Sequence, residues 1–583
     1  MSATPFKELA RVFERLEQTS SSTMMIETLA RFLPKLSPQE ARMTAYLLSG
    51  KVGPSFSAPE FGMAEKTIVR AIAQAFDVPQ TRVASLAVRL GDLGAVAERL
   101  NLRRGIGLTI ADVFALLTQI ATTSGSGSHQ GKINQLAQLL QRTGALEAKY
   151  VVRTVSGTHR IGVAEMTFLH GLASAVGGTK HDKPLLERAY NVLSDLGEVA
   201  FRARSGGLAL LKRIGPKPCI PVRMMLATRV EDMDEVPLHL TGKLFVEYKY
   251  DGERIQIHKD TRGMRVFSRR LEEITHQYPE VLTHLCKNLK ARSAIIEGEV
   301  VAIDPKSGRL LPFQVVMQRK RKLDIERYQK EVPVMLFAFD LLYLNGKSLL
   351  ETPLSERKRL LAAHLKSDAK VQTGDFVETD VMSDAEKYFH QAIARGAEGV
   401  VMKGATSPYQ AGHRGWYWIK FKKEYEKELA DTFDLAVVGA LHGKGSRAGS
   451  YGSVLAAAFD PKTNKYYSLT KVGAGITDEL LRSLPKILKP YVIPHRHRLV
   501  ETNMKMDVWF GPALVIEISG ADLTISPVHT VAQKKLKKGG IALRFPRLLR
   551  IRSDKTAEQA TTVQEIWNMY QERARTARAS KHI

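Results

Sequence analysis

The chain has 583 residues, 44% of them hydrophobic, which predicts several folded domains and excludes a largely disordered protein. The formal net charge is +26 and the pI is about 9.8. So large a positive charge favours a nucleic acid partner over the alternative that the charge serves only to keep the protein soluble. The only two cysteines, Cys219 and Cys286, exclude a disulfide framework and a four-cysteine zinc site, and they favour the reducing cytoplasm.

Residues 1–212 have the spacing of a helical domain. Apolar residues recur at helical intervals from Phe6 to Leu16, which predicts an amphipathic helix rather than a signal peptide. Ser37 to Glu40 is a capping box with proline at the first helical position, and the helix that it opens is expected to stop at Gly50. Ser124 to Ser128 is a glycine-serine loop between helices. No apolar run is long enough to span a membrane.

The pattern changes after residues 213–222, where Gly215-Pro216-Lys217-Pro218 predicts a linker. Residues 223–427 mix strands and helices, and the nearly all-apolar run from Leu336 to Leu342 predicts a buried central strand. Residues 428–583 contain short strands divided by glycine-rich turns, which predicts a small β-barrel. Those strands are Leu435 to Leu441, Ser453 to Phe459, Tyr466 to Val472, and Ala513 to Ser519.

The octamer from Glu247 to Arg254 is the segment that most strongly indicates a catalytic function. On a strand, Glu247, Lys249 and Asp251 share one face. Asp-Gly favours a tight hairpin turn, and such a turn would place Lys249 opposite Arg254 on the partner strand. Two adjacent cations need an anion between them and favour the neutral amine, so the octamer indicates a lysine that attacks a phosphate. Taken alone, it also fits an exposed hairpin with solvated charges.

Three later segments also place charged side chains on one face of a strand. Glu297 and Glu299 alternate with apolar residues, Glu398 begins a strand, and Lys420 and Lys422 alternate with residues expected to face inward. Each segment alone fits a half-buried strand with a solvated face. Together they provide a nucleophile, carboxylates for a divalent metal and cations for phosphate, which phosphoryl and nucleotidyl transfer require.

The ordered set of motifs resembles that of the covalent nucleotidyltransferases, and specifically the ATP-dependent DNA ligases. The family's first motif, lysine-x-aspartate-glycine-x-arginine, is Lys249 to Arg254. Its acidic strand is Glu297-Gly298-Glu299, with glutamate where aspartate is usual, and no loss of function is expected from that exchange. The remaining matches are Phe267-Ser268-Arg269-Arg270, Phe337-Ala338-Phe339-Asp340, Glu398-Gly399, Arg414, Lys420-Phe421-Lys422, and Arg552-Ser553-Asp554-Lys555 within the segment that begins Arg544-Phe545-Pro546-Arg547.

The resemblance extends over nearly the whole chain. Glu147 to Arg153 and His159 to Gly162 are similar to the helical DNA-binding domain of the larger archaeal and eukaryotic ligases, and Gly443 to Gly449 resembles their barrel domain. It implies a multidomain fold: an all-α N-terminal DNA-binding domain, an α+β adenylation (nucleotidyltransferase) domain and a C-terminal OB-fold β-barrel.

The resemblance also implies a three-step reaction. Lys249 would attack the α-phosphate of ATP, expel pyrophosphate and hold AMP as a phosphoamide. AMP would pass to the 5′-phosphate at a nick in duplex DNA, and the 3′-hydroxyl would then displace it. Lysine suits this role because it can lose its proton, whereas arginine stays protonated.

Further residue roles follow from the same resemblance. Glu247 would recognise adenine and Phe339 would stack on it. Glu299 would contact the ribose and, with Glu398, hold Mg²⁺, with Mn²⁺ as an alternative. The phosphate or ribose contacts would be Arg254, Arg269, Arg414, Lys420 and Lys422, and the residues orienting pyrophosphate in the first step only would be Arg552, Asp554 and Lys555.

The expected partner is nicked double-stranded DNA, with a sliding clamp as a further candidate and no membrane. The protein is expected to be a cytoplasmic monomer that acts in DNA replication, repair and recombination, and so in the cell cycle and cell division. RNA ligases and mRNA capping enzymes share the lysine motif but are not expected to carry the helical N-terminal domain. A NAD-dependent DNA ligase is disfavoured by the cysteine count, and a non-catalytic DNA-binding scaffold by usable residues at every motif position.

Overall fold

A computed structural model describes residues 3–159, 161–305, 307–320, 327, 329, 331–422, 432–443, 450–520, 522–536 and 539–579. The chain divides into two compact units, Met1–Lys423 and Glu424–Ile583. Within the described ranges, no helix has the length and apolar character needed to cross a membrane.

The N-terminal part of the first unit is helical, as the sequence predicts. Helix α1 buries the apolar stripe from Phe6 to Leu16, and the predicted capping box is present: the Ser37 side chain accepts the Glu40 N–H, and the Glu40 carboxylate accepts the Ser37 N–H at 2.9 Å. Helices α1 to α12 span Phe6–Glu17, Ser22–Phe32, Pro38–Leu48, Glu65–Phe76, Gln80–Leu90, Leu93–Leu100, Ile110–Thr122, Ser128–Arg142, Ala145–Ser156, Glu165–Ala175, Lys183–Leu193 and Leu196–Lys212.

In the rest of the first unit, the described residues form two sheets with helices between their strands. Strands β1 to β12 span Leu226–Arg229, Leu244–Lys249, Glu253–Asp260, Gly263–Ser268, Ala294–Ile303, Leu310–Leu311, Val334–Leu344, Lys347–Ser348, Val371–Thr373, Phe376–Thr379, Gly399–Gly404 and Arg414–Lys422. Helices α13 to α16 span Pro279–Asn288, Phe313–Val316, Leu354–His364 and Met382–Ala394. One sheet has the order β1-β12-β11-β2-β10; the other has β4-β3-β5-β7-β8, with β6 beside β5 and β9 beside β7.

The predicted hairpin after Lys249 is wrong, because the strands on either side of the Asp-Gly pair belong to different sheets. Strand β2 pairs with β10 and β11, and β3 pairs with β4 and β5, so neither strand has a free edge for the other. A Cβ on Gly252 would lie 2.3 Å from the carbonyl oxygen of Val300 on β5. Glycine is therefore needed here for close packing as the chain crosses between sheets, and Arg254 is paired with Glu299 instead of Lys249.

The segment predicted as a linker packs on the second of these sheets. The backbone N–H of Cys219 donates to Nδ1 of His258 at 3.1 Å, and the N–H of Val222 donates to Oε1 of Gln256 at 2.7 Å. Both acceptors are buried side chains of β3. The connection to the helical part is therefore anchored by two hydrogen bonds into the core.

The second unit is strand-rich, and each predicted strand is present. Strand β13, Phe433–His442, pairs with β14 along one edge and with β18 and β19 along the other. Strands β14 to β22 span Tyr451–Asp460, Lys465–Val472, Val492–Ile493, Val500–Glu501, Val508–Phe510, Val515–Ser519, Asp522–Ser526, Gly540–Arg544 and Arg547–Ile551. Helices α17 and α18 are Asp478–Leu488 and Val563–Ala579. The glycine-rich match at 444–449 and Arg160 of the helical motif lie outside the described residues.

Candidate active site around Lys249

Lys249 is the last residue of β2, beside the start of β11. In the β2-β11-β12 register, Lys249, Gly399 and Lys422 lie in one row across the sheet. The N–H of Glu398 donates to the carbonyl oxygen of Lys249 at 2.8 Å, which fixes that carboxylate beside the row. Nζ of Lys249 is 2.5 Å and Nζ of Lys422 is 2.9 Å from Oε2 of Glu398. The predicted nucleophile and one predicted metal ligand are therefore in direct contact.

Two further carboxyl groups face Glu398. Burial, together with the neighbouring Glu398, raises the pKa of Asp251 to about 6. Burial also raises the pKa of Glu299 to about 7, although Lys249 and Arg254 oppose that shift. Glu398 responds in the opposite direction: burial favours its neutral form, but Lys249 outweighs burial and lowers its pKa to about 2. The carboxyl groups thus crowd one side of the nucleophile, and close carboxyls resist joint ionisation.

Cations converge on the same face of these strands, around Lys420. Burial lowers the pKa of Lys420, and the charges of Lys249, Lys422, Arg414 and Arg269 lower it further. Like charges held this close disfavour one another unless an anion lies among them. The structure therefore brings together four of the five predicted phosphate contacts around Lys249, in an arrangement suited to a polyphosphate.

The fifth predicted contact, Arg254, is oriented by a buried polar chain. Its Nη2 donates to Oε2 of Glu297 at 2.7 Å, and its Nη1 donates to the carbonyl oxygen of Met225 at 2.8 Å. The amide of Gln256 donates to the other oxygen of Glu297 at 3.0 Å. Burial disfavours the Arg254 charge, but Glu297 outweighs it and raises the pKa of the guanidinium. Arg254 is thus held in a fixed position at the edge of the cleft.

Glu247 and Phe339 lie in a second, more buried pocket. The two carboxylate oxygens of Glu247 are 2.9 Å from Nζ of Lys358 and 2.7 Å from Nζ of Lys403. Nζ of Lys403 lies 4.4 Å from the ring centre of Phe339 and 4.1 Å from that of Trp418, which is 2% exposed. Burial lowers the pKa of Lys403, and the charge of Glu247 opposes that effect. The pocket combines aromatic surfaces with a paired acid, as a site for a planar polar ring requires.

The last predicted motif lies in the second compact unit. Nη2 of Arg552 is 2.7 Å from Oδ2 of Asp554, and Nη1 of Arg552 is 3.1 Å from Oδ2 of Asp434. Nζ of Lys555 is 2.7 Å from the same Asp434 oxygen. We call Asp434, Arg552, Asp554 and Lys555 the C-terminal cluster. Oε2 of Glu517 lies 3.8 Å from Nη1 of Arg552 and 2.6 Å from Nε of Arg550, so acids and cations are equal in number in and around the cluster.

The site includes residues to which the sequence patterns assigned no role. Lys358 and Lys403 contact Glu247, and Asp434 contacts Arg552 and Lys555. Trp418 lies beside Arg254, and Gln256 contacts Glu297 of the acidic motif. Strand alternation could have found Lys403 and Trp418, because they occupy matching positions on β11 and β12. No local pattern marks Lys358, which reaches Glu247 from α15, or Asp434, which reaches residues far along the chain.

The motif from Glu147 to Arg153 stabilises the helical part internally. Arg153 is buried, with Nε 2.9 Å from Oδ2 of Asp92 and Nη1 2.8 Å from Oε2 of Glu17. The pKa of Glu17 falls to about 2, because hydrogen bonding and charge from Arg153 outweigh the effect of burial. These charges therefore join α9 to two other segments of the helical part.

The carboxylates of the cleft suit a hard divalent cation. Among the described residues, no group of three or more His, Cys, Asp or Glu has the geometry of a complete protein metal site. Mg²⁺ commonly takes one or two carboxylates and completes its shell with water and substrate phosphates. Glu299 and Glu398 fit that pattern, and a bound cation would favour the ionised form of Glu299, whose pKa is raised chiefly by burial.

Three family profiles match the chain in order. "DNA ligase N terminus" matches residues 5–173, "ATP dependent DNA ligase domain" matches 224–422, and "ATP dependent DNA ligase C terminal region" matches 447–555. The DNA ligase of Staphylothermus marinus is 44% identical over 587 residues, covering 97% of this chain and 98% of that protein. DNA ligase 2 of Thermofilum pendens is 44% identical, covering 98% of each.

The fold is also similar to a solved structure. The structure named Pmar-Lig_Pre aligns with a TM-score of 0.52 and 16% identity, over 94% of this chain and 99% of that chain. At this identity, the likeness concerns the multidomain fold alone.

Proposed function

The chain belongs to the ATP-dependent DNA ligases, and from this membership we propose that it seals nicks in duplex DNA through an adenylate on Lys249. One observation carries the assignment: Lys249 contacts Glu398 at 2.5 Å, while Lys422, Arg414 and Arg269 share the same cleft. A primary amine set among phosphate-binding cations is the group that covalent nucleotidyl transfer requires.

In the first step, the neutral amine of Lys249 forms a bond to the α-phosphorus of ATP. The bond from that phosphorus to the bridging oxygen breaks, pyrophosphate leaves with the electron pair, and the amine proton passes to solvent. Lys420 and Lys422, with Arg269 and Arg414, stabilise the charge that develops on the phosphate oxygens. Their convergence around Lys420 supports this role.

The nucleoside occupies the pocket beside the cleft. Phe339 stacks on adenine and Glu247 recognises its polar edge, while Arg254 and Glu299 contact the ribose or phosphates. The contacts of Lys403 with both Glu247 and Phe339 support one shared pocket. Because Lys358 and Lys403 engage the Glu247 carboxylate, recognition by that side chain requires adenine to share or displace one of these partners.

Glu299 and Glu398 are the residues that would hold Mg²⁺ or Mn²⁺. A divalent cation at these oxygens supplies positive charge beside the phosphates during transfer. Arg552, Asp554 and Lys555 orient pyrophosphate in the first step only, because pyrophosphate is absent from the next two. In those steps the 5′-phosphate of the nick takes AMP from Lys249, and the 3′-hydroxyl then attacks that phosphate and displaces AMP.

Residues 1–212 form the DNA-binding domain, followed by the linker at 213–222, the adenylation domain at 223–427 and the OB-fold domain at 428–583. The net charge of +26 supports sequence-independent contacts with DNA phosphates. We place the enzyme in the cytoplasm as a monomer acting in replication, repair and recombination, with a sliding clamp as a candidate partner.

The test is incubation with α-labelled ATP and magnesium, followed by addition of nicked duplex DNA. The expected sequence is label on the protein, transfer of that label to the 5′ end of the nick, and sealing with release of labelled AMP. Label from γ-labelled ATP should stay off the protein, and nicked RNA should be a poor acceptor. Unlabelled protein under these conditions, or RNA sealed as well as DNA, would contradict the proposal.

A further inference from the structure

Asp434 joins the two cations of the C-terminal cluster. Nη1 of Arg552 donates to both carboxylate oxygens of Asp434, at 3.1 Å each, and Nζ of Lys555 donates to one of them at 2.7 Å. The Asp554 carboxylate differs, since its hydrogen bonds at 2.9 and 2.7 Å both come from Arg552. Asp434 therefore sets the position of Arg552 and Lys555 relative to each other.

Asp434 is itself fixed by its backbone at the start of β13. Its N–H donates to Oγ1 of Thr561 at 3.0 Å, and its carbonyl oxygen accepts the N–H of Thr561 at 2.7 Å. The Asp434 side chain is only 12% exposed, whereas that of Asp554 is 63% exposed. A carboxylate that is held on a strand and shielded from water positions its partners more rigidly than a carboxylate on an exposed turn.

Arg552 and Lys555 need a fixed carboxylate between them, because they lie three residues apart on one turn. The N–H of Lys555 donates to the carbonyl oxygen of Arg552 at 3.3 Å, so the turn brings two positive side chains together. Like charges repel, and a lysine carries a flexible four-carbon stem. A shared acid overcomes the repulsion and limits the side-chain freedom that binding an anion would otherwise remove.

We propose that Asp434 is a positioning residue for self-adenylation, which holds Arg552 and Lys555 in the arrangement that receives pyrophosphate. This inference rests on the proposed role of those two cations. Asp434 acts through them and does not contact the reacting atoms. Its influence is therefore confined to the step in which pyrophosphate is present.

The experiment compares Asp434→Asn in the full chain with the unaltered protein in two separate reactions. The first is labelling of the protein by α-labelled ATP over a range of ATP concentrations, and the second is sealing of a nick already adenylated at its 5′ end. We expect labelling at low ATP to fall by about tenfold or more, because a neutral amide no longer holds Arg552 and Lys555 through charge-assisted hydrogen bonds. Sealing of the pre-adenylated nick should stay within about twofold, since no pyrophosphate contact is involved.

A reverse-reaction measurement separates positioning from simple damage to the fold. Protein carrying preformed labelled adenylate is discharged with added pyrophosphate, and the half-saturating pyrophosphate concentration should rise in Asp434→Asn. Asp434→Glu, which retains the charge, should recover part of the loss. Glu501→Gln is the matched control, because it removes the 2.6 Å ion pair with Lys465 in the same unit and should change neither reaction.

A double-mutant cycle with Lys555→Ala gives the decisive comparison. If Asp434 acts through Lys555, the added loss from Asp434→Asn should be smaller in the Lys555→Ala background than in the unaltered chain. Equal losses in both reactions, additive losses in the cycle, or unchanged labelling would overturn the inference. A different result would show that Arg552 and Lys555 do not orient pyrophosphate: the variants Arg552→Ala and Lys555→Ala would then be labelled normally. The proposed role of Asp434 would be excluded by that result as well.

Discussion

The cleft around Lys249 and the C-terminal cluster contain similar groups held in different ways. In the cleft, five cations (Lys249, Lys420, Lys422, Arg269 and Arg414) face three carboxyl groups (Asp251, Glu299 and Glu398), so positive charge is in excess. In the cluster, Arg552 and Lys555 face Asp434 and Asp554, and the adjacent Glu517 is paired with Arg550, so the charges balance. An excess of cations favours a bound anion, whereas in a balanced set the anion must compete with the acids for the cations.

The two sites also differ in how the chain assembles them. The cleft takes its groups from strands of two sheets, which the packed core holds together. Three of the four cluster residues come from one short turn at the protein surface. The comparison therefore predicts that cleft residues serve the chemistry of AMP transfer, while cluster residues serve only the step that releases pyrophosphate.

The largest expected effect is that of Lys249→Ala. No label from α-labelled ATP should remain on the protein, because the phosphoamide needs this amine. The variant should still seal a nick that is already adenylated, since that step uses the DNA 3′-hydroxyl as nucleophile. Lys243→Ala is the control, because Lys243 forms an exposed pair with Glu378 at 3.4 Å on the same strand-bearing unit. Normal labelling of Lys249→Ala would show that the cleft does not supply the nucleophile at this position.

The next effect is that of Asp554→Ala combined with Lys555→Ala. Self-adenylation should be blocked, while closure of a pre-adenylated nick should be spared, because pyrophosphate is absent from closure. Lys465→Ala, which removes an exposed partner of Glu501 in the same unit, should leave both reactions unchanged. If the double variant lost both reactions equally, the cluster would be a structural or DNA-binding element, and its proposed difference from the cleft would disappear.

The same residues show which features of the site the sequence can predict and which it cannot. Alternation on β2 and β12 correctly indicated which side chains share a face, because a strand reverses its side chains at every residue. The predicted hairpin between Lys249 and Arg254 was wrong. An Asp-Gly pair indicates a turn, but it does not show whether the two strands that it connects pair with each other or with other strands. Lys358 and Asp434 could not be predicted either, since each reaches its partner through tertiary packing and not through a local pattern. The metal site remains a prediction drawn from family resemblance and the crowding of carboxylates.

A smaller effect is expected for Phe339→Ala. Losing an aromatic surface beneath a base costs roughly 1–3 kcal/mol, so use of ATP should weaken while labelling at saturating ATP persists. Binding of nicked duplex, measured at the same salt concentration, should not change. Phe339→Leu keeps bulk without the aromatic face and should give an intermediate result. An unchanged apparent affinity for ATP in Phe339→Ala would mean that the ring serves only core packing and does not form part of the proposed adenine pocket.

The smallest effect concerns acid stability and separates the two units. His258 in the first unit is fully buried. Its Nδ1 accepts the Cys219 N–H at 3.1 Å, so the ring proton is on Nε2, which donates to Oε1 of Gln256 at 2.8 Å. Burial lowers the pKa of His258 to about 3, and burial lowers the pKa of His529 in the second unit to about 4. A protonated His258 would direct a ring N–H at the N–H of Cys219, which explains why the folded state keeps the ring neutral.

The sign of the pH effect follows from those lowered pKa values. The unfolded chain takes up a proton as pH falls below about 6.5, whereas folded His258 does not, so stability present at higher pH is lost on acidification. Between pH 7 and pH 5 this residue contributes at most about 2 kcal/mol of that loss. With Trp509 and Trp567 replaced by Phe, the remaining Trp416 and Trp418 report urea unfolding of the first unit alone. His258→Gln should reduce the difference in unfolding free energy between the two pH values, and His529→Gln should leave it unchanged. If His258→Gln left that difference unchanged, the contact between His258 and the Cys219 segment would not be a source of acid sensitivity in the first unit.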